Sequence, residues 1–261
     1  MHFIVCVKQV PSVEKVRMDP ETGRILREET PFMMNPEDRN ALEAALRLKE
    51  DNGGLITAVS MGPPQAEETL REAVAMGADR AVLISDPALA GSDAFVTSKV
   101  LARAALKLAP FDLVICGSRS ADGEAGMVGI QLAEELNLPQ VTWALELKVR
   151  EGVITAKRKI DGGYEIVEAL LPAVVTVIGE ANKPRYPTMR RIVEACKRPV
   201  ERLELSDLGL QPEEVGLRGS PTRIERVFRL ERRRKGVILR KPAEEAAREV
   251  ASIILRELAK E

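Results

Sequence analysis

The sequence predicts an α/β fold, a parallel sheet with helices on both faces in three layers, and three observations predict it. Short β-branched runs alternate with stretches of helical periodicity as far as residue 141, the order that βαβ units impose. The runs FIVCV at 3–7 and AVLI at 81–84 are continuously apolar, as in strands covered on both faces. Gly, Pro or Asn stands at the junctions, where a helix must stop or a chain must turn.

Each element can be justified in order. Residues 3–7 form the first buried strand. Asp19-Pro20-Glu21-Thr22-Gly23-Arg24 has turn chemistry between two short alternating runs, so a hairpin excursion over 16–26 is expected. Asn35-Pro36-Glu37-Asp38 then opens a helix. Asn35 suits the N-cap, Pro36 the first helical position, and Asp38 a carboxylate that reaches back over the helix start. Ala41, Leu42, Ala45 and Leu46 continue at helical spacing, and Asn52-Gly53-Gly54 ends the run. There follow a strand over 55–60, a helix over 64–76 closed by Gly77, and a strand over 81–85. Ser92 or Asp93 caps the next helix, and Pro110 precedes a strand over 112–116. A glycine-rich loop leads into a helix over 124–136, and Pro139 precedes another strand.

Beyond Val141 the pattern changes. Residues 145–149, 153–159 and 164–169 are separated by Arg150-Glu151-Gly152 and Asp161-Gly162-Gly163, which predicts an antiparallel hairpin addition with tight turns. Residues 172–178 read as one more buried strand. From 181 to 241 the chain is rich in Pro, Arg and Glu without sustained periodicity, and it reads as an arm laid across a partner. A final helix over 242–258 is amphipathic through Ala246, Val250, Ile253, Ile254 and Leu258. The expected division is an α/β domain over 1–182 and a docking loop with a C-terminal arm over 183–261.

Composition narrows the function. With 39 basic and 40 acidic residues the net charge is −1, so no global field draws the chain to nucleic acid or a membrane. The arginine-rich stretch 218–241 is interleaved with glutamates, in a chain of one Trp, two Tyr and five Phe. A partner-facing arm is the better reading than an RNA-binding one. The apolar N-terminus is too short for a signal peptide, and no run approaches the roughly 20 apolar residues of a membrane span. Cys6, Cys116 and Cys196 lie far apart without a CxxC. Neither a zinc site nor a disulfide framework is expected, and reducing cytoplasm is the expected compartment. His2 is the only histidine, which leaves histidine-based catalysis without a group.

In an open parallel sheet, ligands bind outside the carboxyl ends of the strands. Chain order brings three such ends, Cys6-Val7-Lys8, Ser60-Met61-Gly62 and Cys116-Gly117-Ser118, to one edge. The helix start Asn35-Pro36-Glu37-Asp38 follows the first strand and faces the same edge. The richest segment is Gly117-Ser118-Arg119-Ser120-Ala121-Asp122-Gly123-Glu124-Ala125-Gly126-Met127-Val128. Its glycines let the backbone approach a ligand, and amides at a helix start favour an anion such as phosphate. Arg119 adds a donor, whereas Glu124 opposes an anion unless it caps the helix. The spacing matches neither G-x-x-x-x-G-K-[ST] nor G-x-G-x-x-G. On these residues a phosphate-binding turn and a tight structural turn both remain open.

Several further segments carry a resemblance: Val7-Lys8-Gln9-Val10, the helix start Asn35-Pro36-Glu37-Asp38, ALEAALRLKE at 41–50, SMGPPQ at 60–65 and AMGADR at 75–80. The most specific is 156–176, with Arg158, Asp161-Gly162-Gly163, Glu165, Val167, Pro172 and Val174-Val175-Thr176, followed by Asn182-Lys183-Pro184-Arg185-Tyr186-Pro187-Thr188. Together they resemble the β subunit of the electron-transfer flavoproteins, and the match runs through most of the chain. The resemblance implies a Rossmann-like, adenine-nucleotide-binding sheet in a heterodimer whose α subunit holds most of an FAD.

It further implies that the β subunit buries AMP, or a second FAD in electron-bifurcating members. Carried over by position, the nucleotide would touch Cys6, Asn35 through Asp38, Met61 and Gly117 through Val128. The segment after Pro184 looks like a loop that docks acyl-CoA or other dehydrogenases, with Tyr186, Met189 and Ile192 presented. Electrons would pass from dehydrogenases through FAD to a membrane or soluble acceptor, with no catalytic residue and no metal on this chain. A bifurcating member would instead oxidise NADH. The hairpin at 19–24 and the tail at 219–223 look like the bifurcating and anaerobe-type members. The family loop commonly reads Q-A-x-D-G-D-T-G-Q-x-G, whereas Ser120, Ala125 and Met127 here remove three side-chain hydrogen-bonding groups. Backbone amides are left to do more of the phosphate binding. A stand-alone adenine-nucleotide sensor, acting as a homodimer, is the rival from another class.

Overall fold

The computed structural model describes residues 1–12, 31–222, 236 and 238–259. The expected hairpin over 16–26 and the arginines at 232–234 lie outside the described residues. Two compact units are present, one within Met1–Glu225 and one within Arg226–Glu261.

The first unit is built on a nine-stranded sheet. In chain order the elements are β1 His2–Cys6, β2 Gln9–Pro11, β3 Phe32–Met34, α1 Pro36–Asn52, β4 Leu55–Met61, α2 Glu67–Met76, β5 Arg80–Ile84, α3 Ala94–Lys107, β6 Leu113–Gly117 and α4 Val128–Glu135. There follow β7 Gln140–Arg150, β8 Val153–Ile160, β9 Gly163–Leu170, β10 Ala173–Val177, α5 Met189–Lys197, β11 Glu201–Leu203 and the single turn α6 Gly216–Gly219. Strand order across the sheet is β11-β5-β4-β1-β6-β10-β7-β8-β9, and β2 pairs with β3 apart from it. Pairing is parallel from β11 to β7, whereas β7, β8 and β9 form the expected antiparallel addition.

Strand alternation sorts the core into two layers. Phe3, Val5, Leu113, Ile115 and Val175 face α1 and α2, with Leu42, Leu46 and Leu70. Ile4, Val114, Cys116 and Val174 face α3 and α4, with Val100 and Leu132. Each of these side chains is almost wholly out of water, and burial of one Val, Leu or Ile contributes about 1.5–3 kcal/mol. That double coverage is why the strands read as unbroken apolar runs.

Three expectations need correction. The helix expected from residue 124 begins at Val128, because Glu124 (φ 48°) and Gly126 (φ 64°) are left-handed and a right-handed helix cannot include them. The segment expected as a strand over 145–149 is continuous with the one after Pro139, as the 11-residue β7. The stretch from 181, which shows no sustained periodicity in sequence, carries α5 and β11. Met189, Ile192, Val193 and Cys196 of α5 do stand at helical spacing, but the period lasts only nine residues and that face is exposed, Ala195 being the one buried residue. Thr188 caps α5 by accepting from the Arg191 amide at 3.4 Å. Arg71 of α2 binds its last turn through the carbonyls of Ala195 and Cys196.

The second unit contains α7, Ala243–Leu258, which exposes Val250, Ile253, Ile254, Leu255 and Leu258. Among the described residues no helix is long and apolar enough to cross a membrane.

Candidate functional site

β1 lies between β4 and β6. From β1 the chain builds outward through β4 and β5, then returns across the sheet to β6. The connections therefore diverge at the carboxyl ends of β1 and β6, and this is the place where an open α/β sheet leaves a crevice. α1 starts directly over it.

Asp38 holds the two strand tips together. Its Oδ2 accepts from the Lys8 amide at 2.8 Å and its Oδ1 from the Gly117 amide at 3.2 Å. Burial pushes the Asp38 carboxyl up to about 7, more than the hydrogen bonds from Asn35, Lys8 and Gly117 pull it down. Gly117 has no room for a side chain. A Cβ there would overlap Asp38 Oδ1 and stand 2.8 Å from the Asp38 nitrogen and from the Glu37 carbonyl carbon.

The next residues of the turn are tied to the same helix start. The Glu37 carboxylate accepts from the Ser118 hydroxyl and, at 3.0 Å, from the Arg119 amide. Asn35 Oδ1 accepts from the Ala121 amide at 3.0 Å, and its Nδ2 donates to the Arg119 carbonyl at 2.9 Å. Asp122 takes an ion pair from Lys8 Nζ at 2.7 Å, and the Gly123 amide donates to it at 2.7 Å. The Glu124 amide donates to the Ser120 carbonyl at 2.9 Å.

Asn35 and Asp38 therefore do not cap α1 as expected; no side-chain cap is formed there. Both side chains cross the crevice instead, because the amides of β1, β6 and the turn are otherwise left in a half-buried place without acceptors, a costly state.

The second half of the loop differs. The amides of residues 125–130 have no acceptor among the described residues, and the next one, Gln131, donates to Met127 at 2.9 Å. Met127 precedes the helix without a side-chain cap, so Glu124 does not cap α4. Gly129 brings α4 hard against the sheet, since a Cβ there would overlap Thr176 Cγ2. The result is a row of backbone donors at a helix N-terminus, a site suited to an anion.

The structure thus brings Asn35, Pro36, Glu37, Asp38 and residues 117–128 to one edge, with Cys6 and Met61 at neighbouring strand tips. It divides the loop, however. Amides at Gly117, Ser118, Arg119, Ala121, Gly123 and Glu124 are engaged within the chain, and among the described residues the donors left for a ligand are those of Ser120 and Asp122 and the continuous row over 125–130. Sequence reading passed over Lys8, Gly129, Ile130 and Thr176 as site residues. Lys8 stood in a quoted segment, but its pairing with Asp122 joins positions 114 apart, which no local pattern reveals.

Tyr186, Met189 and Ile192 lie elsewhere. Arg185 fixes the preceding segment along α1 by binding Glu43 at 2.7 Å and Glu50 at 2.5 Å. Glu50 is toward the far end of α1 from Asp38. The guanidinium of Arg185 is a cause holding the Glu43 carboxyl below the usual range despite burial. Tyr186 is 86% and Met189 76% exposed. No group of His, Cys, Asp or Glu suited to a metal ion occurs among the described residues.

Comparison with known proteins bears on this site. A family model described as "Electron transfer flavoprotein domain" matches residues 22–208. An electron transfer flavoprotein subunit beta of Thermoanaerobacterium thermosaccharolyticum is 44% identical, over 86% of this chain and 86% of its own length. The caffeyl-CoA reductase-Etf complex subunit CarD of Acetobacterium woodii is 43% identical, over 87% of each chain. The protein FixA of Bradyrhizobium diazoefficiens is 37% identical, over 97% of this chain and 91% of its own.

Proposed function

This chain belongs to the electron transfer flavoprotein family, as a β subunit, and on that premise we propose that its β1/β6 crevice grips the phosphates of an adenine nucleotide. Electron transfer is the function of the family, and its β subunits pair with an α subunit in a heterodimer that carries flavin. The observation that supports the crevice reading is the row of unaccepted amides at residues 125–130. It faces the strand tips at the switch point, where this fold class takes its ligands.

The residues present fit such a group. Gly126 at φ 64° turns the chain so that its neighbours' amides can converge. The carboxylates nearest the crevice are already occupied: Asp38 and Glu37 by amides, Asp122 by Lys8. The charges of Glu37 and Asp122 are therefore compensated before an anion arrives, and Asp38 holds its proton up to about 7. Binding there stabilises the folded chain by mass action. AMP and FAD share the adenosine phosphate that these donors recognise, so either nucleotide suits this half of the site. The flavin supplies the hydride and electron chemistry when bound. This chain's contribution is to hold, orient and present. Tyr186, Met189 and Ile192, on a segment braced by Arg185, are the surface proposed to meet dehydrogenase partners.

The test is chemical. The heterodimer is purified, denatured, and its released nucleotides identified by mass. An adenine nucleotide beyond the α-subunit FAD is expected: AMP for a plain carrier, further FAD for a subunit that oxidises NADH. Recovery of the α-subunit FAD alone would overturn the proposal.

A further inference from the structure

Cys6 and Cys116 close β1 and β6 on the two sides of the crevice, and neither thiol has a part in the amide scheme above. The register places them together. Phe3, Ile4 and Val5 of β1 pair directly with Leu113, Val114 and Ile115 of β6, so Cys6 and Cys116 occupy the next paired position. Paired residues of parallel strands point to one face, and both cysteines do so, in the layer of Ile4 and Val114. Neighbouring strands run about 4.7–4.9 Å apart, inside the Cα separation of about 4.4–6.8 Å that a disulfide spans. Cys6 is partly open to solvent, whereas Cys116 is buried.

We propose that Cys6 and Cys116 form a reversible dithiol–disulfide pair, oxidised by low-molecular-weight disulfides. The Cys6 thiolate attacks one sulfur of the small disulfide, forming a mixed disulfide and releasing one small thiol. Cys116 then attacks Cys6 Sγ, releasing the second small thiol. The two cysteines lose two electrons and two protons, which leave with the two small thiols. Contact with Cys6 and burial hold the Cys116 thiol well above the usual thiol range, so the second step is the slow one. The product staples the two strand tips that frame the crevice. This inference rests on strand register and stands whether or not a nucleotide is bound.

The heterodimer carrying Cys196→Ser, which removes the exposed third thiol, is incubated with oxidised glutathione and the β chain is weighed under denaturing, alkylating conditions. The expected product lacks two hydrogens, carries no glutathione, and yields one reducible peptide containing residues 6 and 116. Its formation rises about tenfold per pH unit below the Cys116 pKa, because the thiolate attacks. With Cys116→Ser added, one glutathione stays on Cys6. Lasting glutathione on Cys6 with Cys116 intact, or full alkylation of both thiols after oxidation, would overturn the proposal.

Discussion

Gly117→Ala is expected to lower the melting temperature of the heterodimer by roughly 6–12 °C and to strip the β-subunit nucleotide. A methyl at this position meets the Asp38 carboxylate and the backbone of the first turn of α1, not the flexible end of a side chain. Overpacking against yielding neighbours costs about 1–3 kcal/mol. Here the carboxylate is pinned by two amides and the backbone by a helix that packs on β1, β6 and β10. The upper end, about 3 kcal/mol, therefore applies. For a chain of this size each kcal/mol moves the midpoint by about 2–4 °C. Relief of the overlap requires α1 to lift from the crevice, which breaks the links from Asn35 and Glu37 to the turn and displaces the donors beyond it. Gly163→Ala serves as control, because a Cβ there meets nothing within 4 Å. Equal melting of the Gly117→Ala and Gly163→Ala proteins would show that the strand tip tolerates the methyl and that the crevice is not built as described.

Asp38→Asn should change how stability responds to pH. The folded protein holds the Asp38 proton up to about 7, against an ordinary value of 3.8. Between those values the folded chain binds more protons than the unfolded one, so stability falls as pH rises from about 4 to about 7. One pKa unit is worth about 1.4 kcal/mol, and the shift of this fully buried group amounts to about 4 kcal/mol. Asparagine does not titrate, so the variant lacks that decline. It also turns an NH2 toward one of the two amides that Asp38 accepts, at a cost of about 1–3 kcal/mol. The expected result is a crossing: Asp38→Asn is the less stable protein at pH 4 and loses that disadvantage by pH 8. Carboxylates held low by partners, such as Glu43, Glu67 and Asp122, lose their contribution only as pH falls, and they do so equally in both proteins. Parallel stability curves for the two proteins across this range would contradict the buried, protonated Asp38.

The fold was legible where local chemistry and final packing agree. Parallel strands covered on both faces are apolar at nearly every position, so FIVCV at 3–7 and AVVTV in β10, where Thr176 is the one polar residue, announce themselves. Chain order alone then brings β1, β4 and β6 to one edge and predicts which loops border the crevice. What stayed hidden is set by contacts between positions far apart. Asn35 and Asp38 have the types and spacing of capping residues, yet their acceptors are claimed by amides some 80 residues away at Gly117 and Ala121. Nothing in either segment states that preference. The start of α4 was misread because left-handed Glu124 is a non-glycine in a glycine's conformation. α5 escaped because its apolar spacing at Met189, Ile192, Val193 and Cys196 lasts only nine residues within a stretch rich in Pro and Arg, and β11 because it has three residues. The candidate loop was found as a whole. Its division into an engaged half and a donor half required the structure.

That division is also the point at which the account is most directly tested. Hydrogen exchange is measured on the heterodimer stripped of its β-subunit nucleotide, before and after the released nucleotide is restored. Slowed exchange concentrated at the amides of residues 125–130, with Gly117, Ser118, Arg119, Ala121, Gly123 and Glu124 little changed because their amides already donate within the chain, is the predicted result. Protection that falls on residues 117–124 instead, or that leaves 125–130 untouched while the nucleotide binds, would contradict it.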